Sequence, residues 1–201
     1  MTKLEHATTA ALDPRGAEAR ENRLPREAES ITALARSAVE AYALRRRVVE
    51  APEFSKTSAL GRPFACFVCI KTRARELRGC IGTFEPEHAT LAEEIIANAV
   101  KAATRDPRFR PVSADELPSL IYSVDVLGML EPARFEDLNP AAFGVVVTDQ
   151  SGSRRGLLLP DVESIETAGQ QVGVAARKAG IKPGEPLRLY RFRTRRFKES
   201  A

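Results

Sequence analysis

What this chain lacks narrows it first. No apolar run is long enough to cross a bilayer, and the polar first 24 residues carry no signal-peptide-like apolar segment, so a cytoplasmic protein with no membrane contact is predicted. There are three cysteines, an odd number that argues against a secreted disulfide framework. Histidine is scarce: His6 lies near the N-terminus and His88 in the loop before a predicted helix. A charge excess of one sign is also missing. Against 27 Asp+Glu stand 31 Lys+Arg, a net +4 that permits an anionic ligand without demanding nucleic acid. No internal repeat is visible, and no linker is long enough to force two independent domains. A length of 201 residues with 43% hydrophobic content suits one domain or two small subdomains with a real core.

What is present centres on Leu77-Arg78-Gly79-Cys80-Ile81-Gly82-Thr83-Phe84. Gly79 and Gly82 carry no Cβ, so the backbone there can bend sharply or approach another surface closely. Arg78 offers a forked cation to an anion, and exposed N–H groups beside the glycines, together with Thr83, suit anion recognition. The alternative for Arg78 is an ion pair with an acid such as Asp106 or Asp125. Cys80 is the candidate nucleophile, and a reactive thiol needs a lowered pKa from a cation, a helix N-terminus or a histidine. The alternative is a small residue packed where nothing larger fits.

Around this segment the hydrophobic periods give interspersed helices and hairpins, an α+β pattern. Residues 1–24 have no hydrophobic period and read as a flexible arm, leaving 25–201 as the folded domain. A helix is expected over about 25–49, with Ile31, Leu34, Ala38 and Tyr42 on one stripe. Residues 64–71 read as a strand apolar on both faces, returning through a turn at 73–76 into 77–84. Thr90 and Glu93 form a capping box opening a helix to about Thr104, which Asp106-Pro107 stops. A strand over 120–127, a hairpin over 144–148 and 155–159, a helix over 167–179 and a closing strand over 187–197 complete the pattern.

Three further clusters carry possible chemistry. Cys66 and Cys69 imitate a metal-binding pair, but residues three apart on a strand point to opposite faces, so no metal site is expected. A four-residue turn at 73–76 would instead set Cys69 opposite Cys80, where a thiol pair in a cytosolic protein would be redox-sensing. In Asp106-Pro107-Arg108-Phe109, Asp106 is a candidate acceptor for Arg78 or a general base, and Arg108 a second ligand-binding cation. The alternative is a helix-stop turn anchored by Phe109. Arg188, Arg191, Arg193, Arg195, Arg196 and Lys198, interleaved with Tyr190, Phe192 and Phe197, fit either base stacking on a single strand or arginines blunting a sheet edge.

The 77–84 segment resembles the signature of the AMMECR1 domain family, and other pieces follow in the family's order. These are Asp106-Pro107-Arg108-Phe109 with Pro111, Glu116-Leu117, Ser123-Val124-Asp125-Val126-Leu127, Gly156-Leu157-Leu158-Leu159-Pro160 and Arg177-Lys178-Ala179-Gly180-Ile181. The resemblance covers roughly residues 30–197. The wording after Pro160 is similar to the bacterial branch called AmmeMemoRadiSam system protein A. Some other members have a Gly-Trp segment there; this chain has no tryptophan, so nothing tied to that segment carries over. The resemblance implies a mainly antiparallel sheet flanked by helices, a smaller second subdomain and a cleft between, centred on 77–84. It also implies partners: a Memo-like protein (resembling metal-dependent dioxygenases) and a radical S-adenosylmethionine protein. This chain lacks the radical family's cysteine triplet, so iron–sulfur chemistry would belong to the partner, and no cofactor is expected here. Three functions stay open at this point. They are a cleft-bearing component acting with such partners, a nucleic-acid-binding module, and an enzyme using Cys80 with Asp106, its ligand held by Arg78, Gly79, Gly82, Thr83 and Arg108.

Overall fold

The computed structural model describes residues 14–199. The first half of the expected arm, with His6, lies outside the described residues. Helix α1 spans Pro14–Arg45, so helical backbone starts before Pro25 and ends before Val49. Its buried stripe is Ile31, Ala35, Ala38 and Val39.

Two antiparallel sheets of four strands carry the fold. The first has the order β2-β1-β3-β8, formed by Leu77–Gly82, Cys66–Thr72, Leu120–Leu127 and Thr194–Lys198. The second has the order β4-β7-β5-β6, formed by Glu131–Ala133, Leu187–Phe192, Gly144–Asp149 and Arg155–Leu158. Helix α2 (Leu91–Thr104) packs with α1 on one face of the first sheet, and α3 (Ala168–Lys178) packs on β5 and β6. This is the expected α+β class, with a smaller second unit.

Local chemistry explains the elements. The Thr90 hydroxyl accepts the Glu93 N–H while the Glu93 carboxylate accepts the Thr90 N–H, satisfying two N-terminal donors of α2. Thr167 and Gln170 repeat the device at α3, and Gly180, at φ +68°, turns the chain beyond its C-terminus. Alternation decides the first sheet. Cys66, Val68 and Ile70 are buried toward the helices beside Tyr122 and Val124, while Phe67 and Cys69 face the other way. Each large aliphatic side chain fully buried on that face contributes about 1.5–3 kcal/mol.

The closing strand differs from its expectation. Residues 187–198 form two strands in different sheets: β7 pairs with β4 and β5, and β8 pairs with β3. The period-2 phase breaks at Arg193, so Phe192 is buried between the sheets and Phe197 in the helix-covered core. Gly128, between β3 and β4, donates its N–H to the Arg193 carbonyl, tying the two crossings together. Of the terminal arginine cluster, only the β8 members sit at a sheet edge; β7 is an interior strand. A third core, with Ala65, Leu127, Val146, Leu157 and Phe192, joins the sheets, and Phe67, Phe84 and Tyr190 pack against it.

Candidate functional site

Strand β2 is the outer strand of its sheet, so half its backbone groups face away from β1. Asp106, delivered by the loop after α2, accepts the outward N–H of Cys80 at 2.8 Å through Oδ2. The same carboxylate takes two guanidinium N–H groups of Arg108, at 2.9 and 2.6 Å, and the Arg108 backbone N–H at 3.1 Å. Arg108 outweighs the effect of burial, and with the Cys80 and Arg108 N–H groups holds Asp106 well below the usual carboxylate range, at about 2.

Arg78 does not reach Asp106 or Asp125. Its guanidinium makes a fork to Glu116, Nε at 2.6 Å and Nη2 at 2.9 Å, and donates to the carbonyls of Arg110 and Pro111. Arg78, helped by Ser113 and against burial, brings the Glu116 carboxyl down to about 2. Asp125 pairs instead with Arg196 at 2.6 Å.

The glycines are fixed by close approach. A Cβ on Gly79 would collide with the Ala102 carbonyl of α2, and one on Gly82 with the Phe67 ring. Thr83 is buried and donates at 2.6 Å to Glu94, a fully buried carboxylate on α2. Glu94 also accepts the N–H groups of Glu87 and His88 at 2.8 and 2.9 Å and an amide proton of Asn98 at 3.3 Å. Asn98 in turn donates to the Cys66 carbonyl at 3.0 Å. Glu94 and Asn98 went unread in the sequence, although a carboxylate and an amide four apart inside an apolar helical stripe are a legible sign of a buried polar strut.

Cys80 and Cys69 are direct partners across β1 and β2, with Cα atoms 4.1 Å apart, and their sulfurs form a disulfide. Cys66 is a free thiol on the helix-facing side, where burial pushes its pKa up to about 12. The Cys66–Cys69 pair is therefore split across the sheet. His88 lies in the exposed loop, where its backbone N–H donates to Glu94. Among the described residues no group of three or more His, Cys, Asp or Glu could hold a metal ion, and no helix is long and apolar enough to cross a membrane.

The second unit meets this region at Glu85. Glu85, just past the signature, pairs with Arg155 of β6 at 2.9 Å beside a cleft of about 350 Å³ lined by Thr148, Arg188 and Tyr190. Lys178, at the end of α3, donates to the Leu157 carbonyl at 3.2 Å. Burial, reinforced by the nearby Arg108 charge, lowers the Lys178 pKa.

An α+β protein of two antiparallel sheets, with a shape-fixing glycine-rich strand at the edge of the first, is the class these features define. The AMMECR1 family model matches residues 32–199, and the chain belongs to that family. A protein of Thermotoga maritima is 42% identical over 162 residues, covering 80% of this chain and 92% of its own. A protein of Clostridium acetobutylicum is 38% identical over 175 residues, 87% of this chain but 37% of its own length. The crystal structure of an uncharacterised protein from Pyrococcus horikoshii superposes with a TM-score of 0.77 at 29% identity, covering 86% of this chain and 91% of that one.

Proposed function

We propose that this chain is a binding component rather than a catalyst in its own right, acting with Memo-like and radical S-adenosylmethionine proteins as in the AmmeMemoRadiSam system protein A branch. It takes a small anionic ligand at the junction between its two units. The observation that carries this reading is the half-exposed Arg108 guanidinium, which Asp106 holds at 2.9 and 2.6 Å on the outer side of the signature strand. The Arg108 charge adds to burial in lowering the Lys178 pKa, so a bound anion would favour the charged form of the lysine.

The signature itself supports a scaffolding role. Arg78, Thr83 and the Cys80 N–H are each engaged by an internal carboxylate, from Glu116, Glu94 and Asp106 respectively. Gly79 and Gly82 admit α2 and the Phe67 ring. In this reading Asp106 aims Arg108 at the ligand, and the remaining motif residues set the shape of the edge.

A nucleic-acid role draws less support. Arg191 is tied to Glu131 and the Asp137 carbonyl, Arg196 to Asp125, and Arg193 lies 4.5 Å from the Phe143 ring centroid. Calorimetry with inorganic phosphate and citrate tests the anion site. Saturable binding that weakens at least about tenfold in both Arg108→Gln and Lys178→Met is expected. Undiminished binding in both variants would remove the site. Co-purification with a Memo-like protein tests the partner reading separately, and its absence from several lysates would count against that reading.

A further inference from the structure

The face of the first sheet opposite the helices carries two features that the binding role leaves unused. One is the Cys69–Cys80 disulfide. Register places Cys80, Cys69, Ser123 and Lys198 in one row across β2, β1, β3 and β8. Phe67, at one end of β1, packs toward the second sheet, whereas Lys71 at the other end is exposed, so this part of the face is open. Both half-cystines are partly exposed.

The other feature is a cavity of about 300 Å³ on the same open part of the face, lined by Lys71, Arg75, Ile121, Ser123, Lys198 and Glu199. Among the described residues no carboxylate pairs with Lys71, Arg75 or Lys198. Glu199 is spent on Arg36, at 2.8 and 2.7 Å, and on the Tyr122 N–H. Three uncompensated cations around one cavity favour a ligand with more than one negative charge. Ser123 lies directly beside Cys69, so the cavity wall and the disulfide are one strand spacing apart, about 4.8 Å.

We propose that this face is a thiol–disulfide exchange site for a small thiol bearing carboxylates, docked on Lys71, Arg75 and Lys198. The thiolate of the ligand attacks the Cys69 sulfur, the nearer of the two. A ligand–Cys69 mixed disulfide forms, the Cys69–Cys80 bond breaks, and Cys80 leaves as a thiolate that takes the proton lost by the ligand. A second thiol molecule attacks the ligand sulfur of the mixed disulfide. It releases the oxidised ligand dimer and leaves Cys69 as a thiol. Two electrons and two protons pass from two ligand thiols to the protein, and the oxidised dimer reverses the process. The site is separate from the Arg108–Lys178 junction and does not depend on it.

The test is the reduction rate of the wild-type disulfide by glutathione, which carries two carboxylates, and by neutral 2-mercaptoethanol, each normalised to its thiolate concentration. Glutathione is expected to be favoured. That preference is expected to fall about tenfold in the Lys71→Gln/Arg75→Gln/Lys198→Gln variant and with added salt, while the 2-mercaptoethanol rate stays unchanged. In Cys80→Ser, oxidised glutathione is expected to modify Cys69 and spare Cys66. A preference unchanged in the triple variant would overturn the proposal. So would the lack of a Cys69–Cys80 linked peptide in air-oxidised wild-type protein. Loss of phosphate binding in Lys178→Met, with exchange unaffected, would separate the two sites.

Discussion

Asp106 accepts the backbone N–H of Cys80 at 2.8 Å, so a carboxylate 26 residues away in the chain closes the outer side of the signature strand. The same carboxylate holds Arg108, which makes the edge of the first sheet and the junction cation a single assembly.

That assembly is acid-labile. The folded-state pKa of Asp106 is lowered from 3.8 to about 2, so its contribution is fully present above the unfolded value and is lost as pH falls through the window from about 4 to about 2. Because Arg108 is half exposed, the contribution is discounted to about 1–2 kcal/mol. Urea titrations of Asp106→Asn across pH 2–7 should show that much destabilisation at neutral pH and convergence with wild type near pH 2. A constant difference down to pH 2 would assign the effect to shape alone.

Glu94, although outside the signature, is expected to contribute strongly to stability. Glu94→Leu strands the Thr83 hydroxyl and the N–H groups of Glu87 and His88, at an expected cost of about 2–4 kcal/mol. Hydrogen exchange at Glu87 and His88 should accelerate in the same variant. Protection equal to wild type would mean that other acceptors replace the carboxylate.

Gly79→Ala is expected to be severely destabilising, because its Cβ meets the backbone carbonyl of Ala102 and the helix has to shift. Gly152→Ala is the matched control. Its Cβ meets nothing within 4 Å, and only the φ of +76° opposes it, at about 1 kcal/mol. Thermal melts of both variants check the ranking, and similar losses would contradict close packing as the reason for Gly79.

Reduction of Cys69–Cys80 opens a loop with a sequence separation of 11. Chain entropy gives an expected loss of up to about 3 kcal/mol, read as a lower Tm with dithiothreitol. An unchanged Tm in protein whose disulfide has been verified would mean that cross-strand pairing already restricts the unfolded chain.

Much of the fold was legible because its signals are local. The Thr90–Glu93 capping box marked the start of α2, and Gly180 the end of α3. The turn at 73–76 put Cys69 opposite Cys80, as the register has it. The split of residues 187–198 was not legible, because a period of two continues in the text through Arg193 while the chain changes sheets. The Arg78 partner was equally hidden. Glu116 lies 38 residues away, and both Asp106 and Asp125 offered the same charge. Such pairings are set by tertiary geometry, which spacing does not encode. Glu94 and Asn98 were different, since their place on an apolar stripe was in plain view.

The most direct measurement is the ¹³Cε titration of Lys178 by NMR, with and without inorganic phosphate. Lys178 is expected to titrate below the ordinary lysine value of 10.5, and phosphate is expected to raise it, because an anion at the junction favours the charged ammonium. An ordinary titration that phosphate leaves unmoved would contradict an anion site between Arg108 and Lys178.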